Sequence, residues 1–129
     1  MSFIRNVVEH HINNQGGTWS LSTQRELGGL VDRNPSRPEL YAVSCNKDTE
    51  VAVDGPVLTV LDISTFIIDN QFQLALPGMY LGTWYDSTTD TSYIDVTQVL
   101  SQRDHAIKVA TQANQLAIWE LTKGYEIRV

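Results

Sequence analysis

The sequence predicts an α+β domain. It would hold a mostly antiparallel or mixed sheet of about six strands with three helices, in the order α-β-β-α-β-β-α-β-β. Two observations lead there. The β-rich runs come in pairs joined by turns, not singly between helices. Between the pairs lie stretches with apolar residues at helical spacing or with helix-capping residues ahead of them. With 129 residues, 42% apolar and 19% charged, the chain suits a single domain over 1–129 and not a disordered one.

The first helix rests on Phe3, Ile4, Val7, Val8, His11 and Ile12, which recur at the spacing that lines one helical face. Ser2 is expected to cap it and Gly16-Gly17 to end it. Thr18–Thr23 alternates and is rich in β-formers, so it reads as a strand. Gly28–Glu39 carries two Gly and two Pro in twelve residues, which predicts a loop. Tyr41–Asn46 is a further strand, and Glu50–Val53 extends it or pairs with it. Asp62 is expected to cap a second helix over about Ile63–Ala75, with Ile63, Phe66, Ile67, Asn70 and Leu74 on one face and Pro77-Gly78 as the stop. The β-branched Ile63, Thr65, Ile67 and Ile68 leave a strand reading open for its first half.

Met79–Asp86 and Ser92–Leu100 are β-rich runs around the polar turn Ser87–Thr91, the pattern of a hairpin. Ser101 is expected to cap the third helix, with Asp104 completing a capping box. Ala106, Ile107, Val109, Ala110 and Ala113 give that helix a small apolar face for a sheet. Gln115–Leu121 is a strand, Thr122-Lys123-Gly124 a turn, and Tyr125–Val129 a final half-buried strand.

Charge and composition narrow the function. Lys plus Arg is 9 and Asp plus Glu is 15, a net charge of −6. That argues against direct nucleic-acid binding, which needs a basic face to displace counterions. Arg5, Asn6 and Glu9 interrupt any signal-peptide core, and no stretch is apolar enough for a membrane span. Cys45 is the single cysteine, so no intrachain disulfide forms, and the cytoplasm is the default location.

Residues with chemical potential each have a plainer reading. His10 and His11 are adjacent on one helix and point about 100° apart, so they do not grip one metal. His11 shares the apolar face and reads as a partly buried structural histidine. Cys45 sits beside Ser44 in a strand, and His105 reaches it only through the fold. Asp86, Asp90 and Asp95 with Thr88, Thr89 and Thr91 are either a hard-cation cluster or ordinary turn residues. No phosphate-binding loop, nucleophile elbow or zinc-ligand spacing is present. The sequence thus assigns no catalytic residue, no metal and no cofactor.

The run GTWYD (Gly82–Asp86), then YIDV (Tyr93–Val96), a helix, NQLAIWEL (Asn114–Leu121) and EIRV (Glu126–Val129) resembles an uncharacterised small protein family of phages, prophages and actinobacterial genomes. HHINNQGGTWSL near the N-terminus is similar to that family's short helix and Gly-Gly turn. The family has no assigned activity. The resemblance implies an accessory protein of a phage or mobile element.

Trp84 and Tyr85 are consecutive on a strand and face opposite sides, so one of them is expected to be exposed. The reading is a non-catalytic protein-binding accessory protein, with Trp84, Tyr85, Asp86, Asp90 and Tyr93 contacting a protein partner. The alternatives are a small enzyme using Cys45 with His105 or the hairpin carboxylates Asp86–Asp95, and a self-assembling component in which the terminal strand pairs with a neighbour. Homo-oligomerisation stays open.

Overall fold

The computed structural model describes residues 2–27, 39–44, 47–115, 117–122 and 124–129. In chain order these form α1 (Ser2–Asn14), β1 (Gly16–Ser20), β2 (Arg25–Glu26), β3 (Tyr41–Ser44), β4 (Val51–Asp54), α2 (Val60–Asp69), α3 (Gln71–Leu74), β5 (Met79–Asp86), β6 (Thr91–Leu100), α4 (Arg103–Gln112), β7 (Ala117–Glu120) and β8 (Tyr125–Arg128). The α+β class holds. The expected loop 28–39 lies outside the described residues except for Glu39, as do Cys45 and Asn46 of the expected strand.

The longest β-rich run makes the longest ladder. β5 and β6 pair antiparallel from Met79↔Gln98 to Asp86↔Thr91. On its other edge β6 holds two short strands end to end, β3 from Tyr41↔Leu100 to Ser44↔Thr97 and β4 from Val51↔Ile94 to Asp54↔Thr91. The sheet order is β2-β1-β5-β6-β3-β7-β8, with β4 beside β6, and every pair is antiparallel.

Directly paired residues share a sheet face. Trp19, Leu81 and Val96 lie across three strands on one face, and Phe3 and Val7 of α1, Ile63 and Phe66 of α2 and Leu74 of α3 pack on them. Tyr41, Val43, Ile118 and Ile127 continue that face beneath Ala106 and Ala110 of α4. All four helices therefore cover one side. The opposite, open face carries Thr18, Gly82 and Asp95 in one row, and Trp84 beside Tyr93 in another.

Several boundaries differ from expectation for local reasons. Gln15 takes the left-handed turn that ends α1, at φ 63°, so Gly16-Gly17 begins β1 instead. At Gly16 a side chain is excluded, because φ is +145° and a Cβ would strike the Thr83 carbonyl oxygen. β1 stops at Ser20, and β2 pairs back onto it. Thr59, not Asp62, caps α2. Its hydroxyl accepts from the Asp62 N–H while the Asp62 carboxylate accepts from the Thr59 N–H. The expected single helix over 63–75 breaks at Asn70 (φ −119°, ψ 21°) into α2 and the short α3. Ser101 does not cap α4, whose N-cap is Gln102 with no side-chain bond.

Gly82 is fixed by space, not by its torsion. A Cβ there would collide with Asp95 Oδ1 and Thr97 Oγ1, the groups that meet over it on the open face. Gly82→Ala is expected to cost roughly 2–3 kcal/mol as β5 and β6 shift to relieve the clash. Urea unfolding reads this loss.

Candidate functional site

The structure separates the five hairpin residues singled out from sequence. Trp84 and Tyr93 are a cross-strand pair on the open face, stacked with ring centroids 5.3 Å apart and planes 23° from parallel. Trp84 remains 44% exposed. Tyr85 faces the other way and donates its hydroxyl to Asp90 Oδ1 at 2.7 Å. Asp90 sits in the left-handed region at the hairpin tip, at φ 51°, and its carbonyl accepts from Gly55 at 2.7 Å. Asp86 accepts from the Thr88 N–H at 3.0 Å, the Thr88 hydroxyl at 2.6 Å and the Thr89 hydroxyl at 3.1 Å. These bonds, led by the Thr88 hydroxyl, hold its carboxyl below the usual range. Asp86 and Asp90 thus close the turn, while Trp84 and Tyr93 present an aromatic surface.

Asp95 lies four pairs along the ladder from the tip, opposite Gly82, and does not join Asp86 and Asp90. It lies on β6 between the residues paired with β3 (Thr97–Leu100) and those paired with β4 (Thr91–Ile94). Thr97 donates its hydroxyl to Asp95 Oδ1. Burial pushes the Asp95 carboxyl up against the opposing pull of Thr97 and Ser44. Glu50 is pushed up by burial and then by Asp95. Among the described residues no group of three metal-ligating side chains occurs. His105 is exposed on the first turn of α4, and its expected partner Cys45 lies outside the described residues.

His11 behaves as the structural histidine read from the apolar face. It is 1% exposed, and its Nε2 lies 2.8 Å from Ser92 Oγ. Ser92 donates its own proton to the Gly55 carbonyl at 2.6 Å, so Nε2 carries the proton, and the buried Nδ1 has no partner among the described residues. Burial, then the neighbouring His10, pulls the His11 pKa below 6.5.

One group of exposed apolar residues was missed in the sequence. Leu61, Ile68, Phe72 and Leu76 are 73%, 66%, 84% and 54% exposed. Leu61 and Ile68 lie on α2 and Phe72 on α3, with Leu76 two residues beyond its end. Ile63, Phe66 and Leu74 are buried on the inner side. Residues 57–78 hold no cation, and Asp62 and Asp69 are their only charges. A search for one amphipathic face stops at the inner one. The signal available was that Val60–Ile68 is apolar nearly all round, which marks a helix covered on both sides.

Comparison with family models, curated proteins and solved structures finds no match to this chain. Among the described residues no helix is long and apolar enough to cross a membrane.

Two outcomes follow from this geometry. Trp84→Ala is expected to leave the fold intact and cost about 0.5–1.5 kcal/mol, the worth of an exposed aromatic pair, read by urea unfolding. For His11 the folded pKa lies below that of the unfolded chain. The unfolded state therefore binds the proton first, and stability is full above pH 6.5 and falls as the pH falls from there. His11→Gln keeps a donor for Ser92 without titrating. Its stability loss between about pH 7.5 and about pH 5 is expected to be smaller than in the parent chain.

Proposed function

We propose that this chain is a non-catalytic protein-binding accessory protein of a phage or mobile element. It engages its partner through the outer ridge of α2 and α3. The observation that carries the reading is Phe72, 84% exposed between Ile68 and Leu76 on a helix pair already anchored by its other side. Contiguous apolar surface of this kind, rimmed by polar groups, marks an interaction site. The charges on the ridge are acidic, so it favours a partner segment that carries apolar side chains flanked by Lys or Arg. A second copy of the ridge would bring Asp62 and Asp69 against like charges, which disfavours self-pairing there. Trp84 and Tyr93 on the open face supply a second, smaller contact surface.

The test uses a labelled amphipathic Leu/Lys peptide and its Leu/Glu counterpart, read by fluorescence anisotropy. The Leu/Lys peptide is expected to bind and the Leu/Glu peptide not. Phe72→Ser leaves the fold unchanged and weakens binding roughly tenfold or more, since burying a phenyl ring contributes about 1.5–3 kcal/mol. Equal binding by parent and variant overturns the ridge as the site.

A further inference from the structure

One edge of β8 is open among the described residues. β8 is last in the sheet order and pairs with β7 on one side only, among the described residues. Its side chains stay accessible apart from Ile127, with Tyr125 39% and Val129 40% exposed. Sheets protect such an edge with prolines, bulges, short strands or charged side chains. β8 has no proline, and its charges are one of each sign, so Tyr125–Val129 complements itself when read in the opposite direction.

We propose that β8 pairs antiparallel with β8 of a second copy of this chain, about a two-fold axis at Ile127. The register is fixed by symmetry. Glu126 then lies opposite the partner's Arg128, and Arg128 opposite the partner's Glu126. In the single chain these two charges pair with each other, Arg128 Nε to Glu126 Oε1 at 2.8 Å, on the open face. The two-fold arrangement gives each a cross-strand counter-charge as well.

The same register places the partner's Tyr125 opposite Val129, on the helix-covered side. There Val129 lines an open groove of about 340 Å³ with Thr111, Asn114 and Gln115 at the end of α4. The partner's Tyr125 ring enters this groove beside Val129. Strand edge, charge pair and groove are separate features, and one symmetric contact satisfies all three. This surface is distinct from the ridge of α2 and α3.

Sedimentation equilibrium from about 1 µM to about 100 µM tests the pairing, since association is read from its dependence on concentration. The parent chain is expected to be a dimer at the upper concentrations. Glu126→Arg and Arg128→Glu each set like charges opposite one another, twice per dimer, and weaken association roughly tenfold or more. The double reversal restores it. Tyr125→Ala weakens it as well, with folding of every variant confirmed by circular dichroism. A parent chain that stays monomeric throughout overturns the proposal. So does a dimer unaffected by Tyr125→Ala and both single reversals, or one lost instead in Phe72→Ser.

Discussion

The two-sided pairing of β6 is the constraint from which the rest of the sheet follows. One edge is taken by β5 over its whole length, and the other is divided between β3 and β4. Because paired residues share a face, this ladder decides which side chains the helices cover. Leu81, Ile94 and Val96 go under α1 and α2, and Trp84, Tyr93 and Asp95 go to the open face. A slip of one residue would exchange these sets and bury a carboxylate beneath the helices.

The division of that second edge creates the least conventional part of the molecule. Where β3 ends and β4 has not begun, Asp95 is buried among Thr97, Ser44 and Glu50, and Gly82 across the ladder gives up its side chain to make room. Burial pushes both carboxyls up, so their charged forms cost the folded state stability near neutral pH. His11, on the other face, is kept neutral by burial and donates to Ser92. Thr97 and Ser92 thus tie Asp95 and His11 into the sheet, while the other ring nitrogen of His11 finds no partner among the described residues.

The two exposed apolar features have different origins. The ridge of α2 and α3 exists because one short helix is apolar on both sides while the sheet covers only the inner one. The β8 edge exists because the sheet order places the last strand outermost. The first carries Asp62 and Asp69 as its charges. The second is complementary to itself, which is the property an isologous contact requires.

Periodicity in the sequence was enough to determine that three helical regions and paired strands form an α+β domain. Local period is set by the backbone of each segment alone. It revealed the β5–β6 hairpin and the apolar faces of α1 and α4, and it assigned His11 to the interior. Elements fixed by local hydrogen bonding were less legible. Thr59 competes with Asp62 for the same cap, and the two-residue β2 forms only because β1 is already in place to receive it. Tertiary structure alone decided that Asp95 leaves the hairpin carboxylates for a buried place opposite Gly82. It also decided that Leu61, Ile68, Phe72 and Leu76 stay in water. Each of these depends on which face a residue takes once distant strands have paired, and that register is set between segments, not within them.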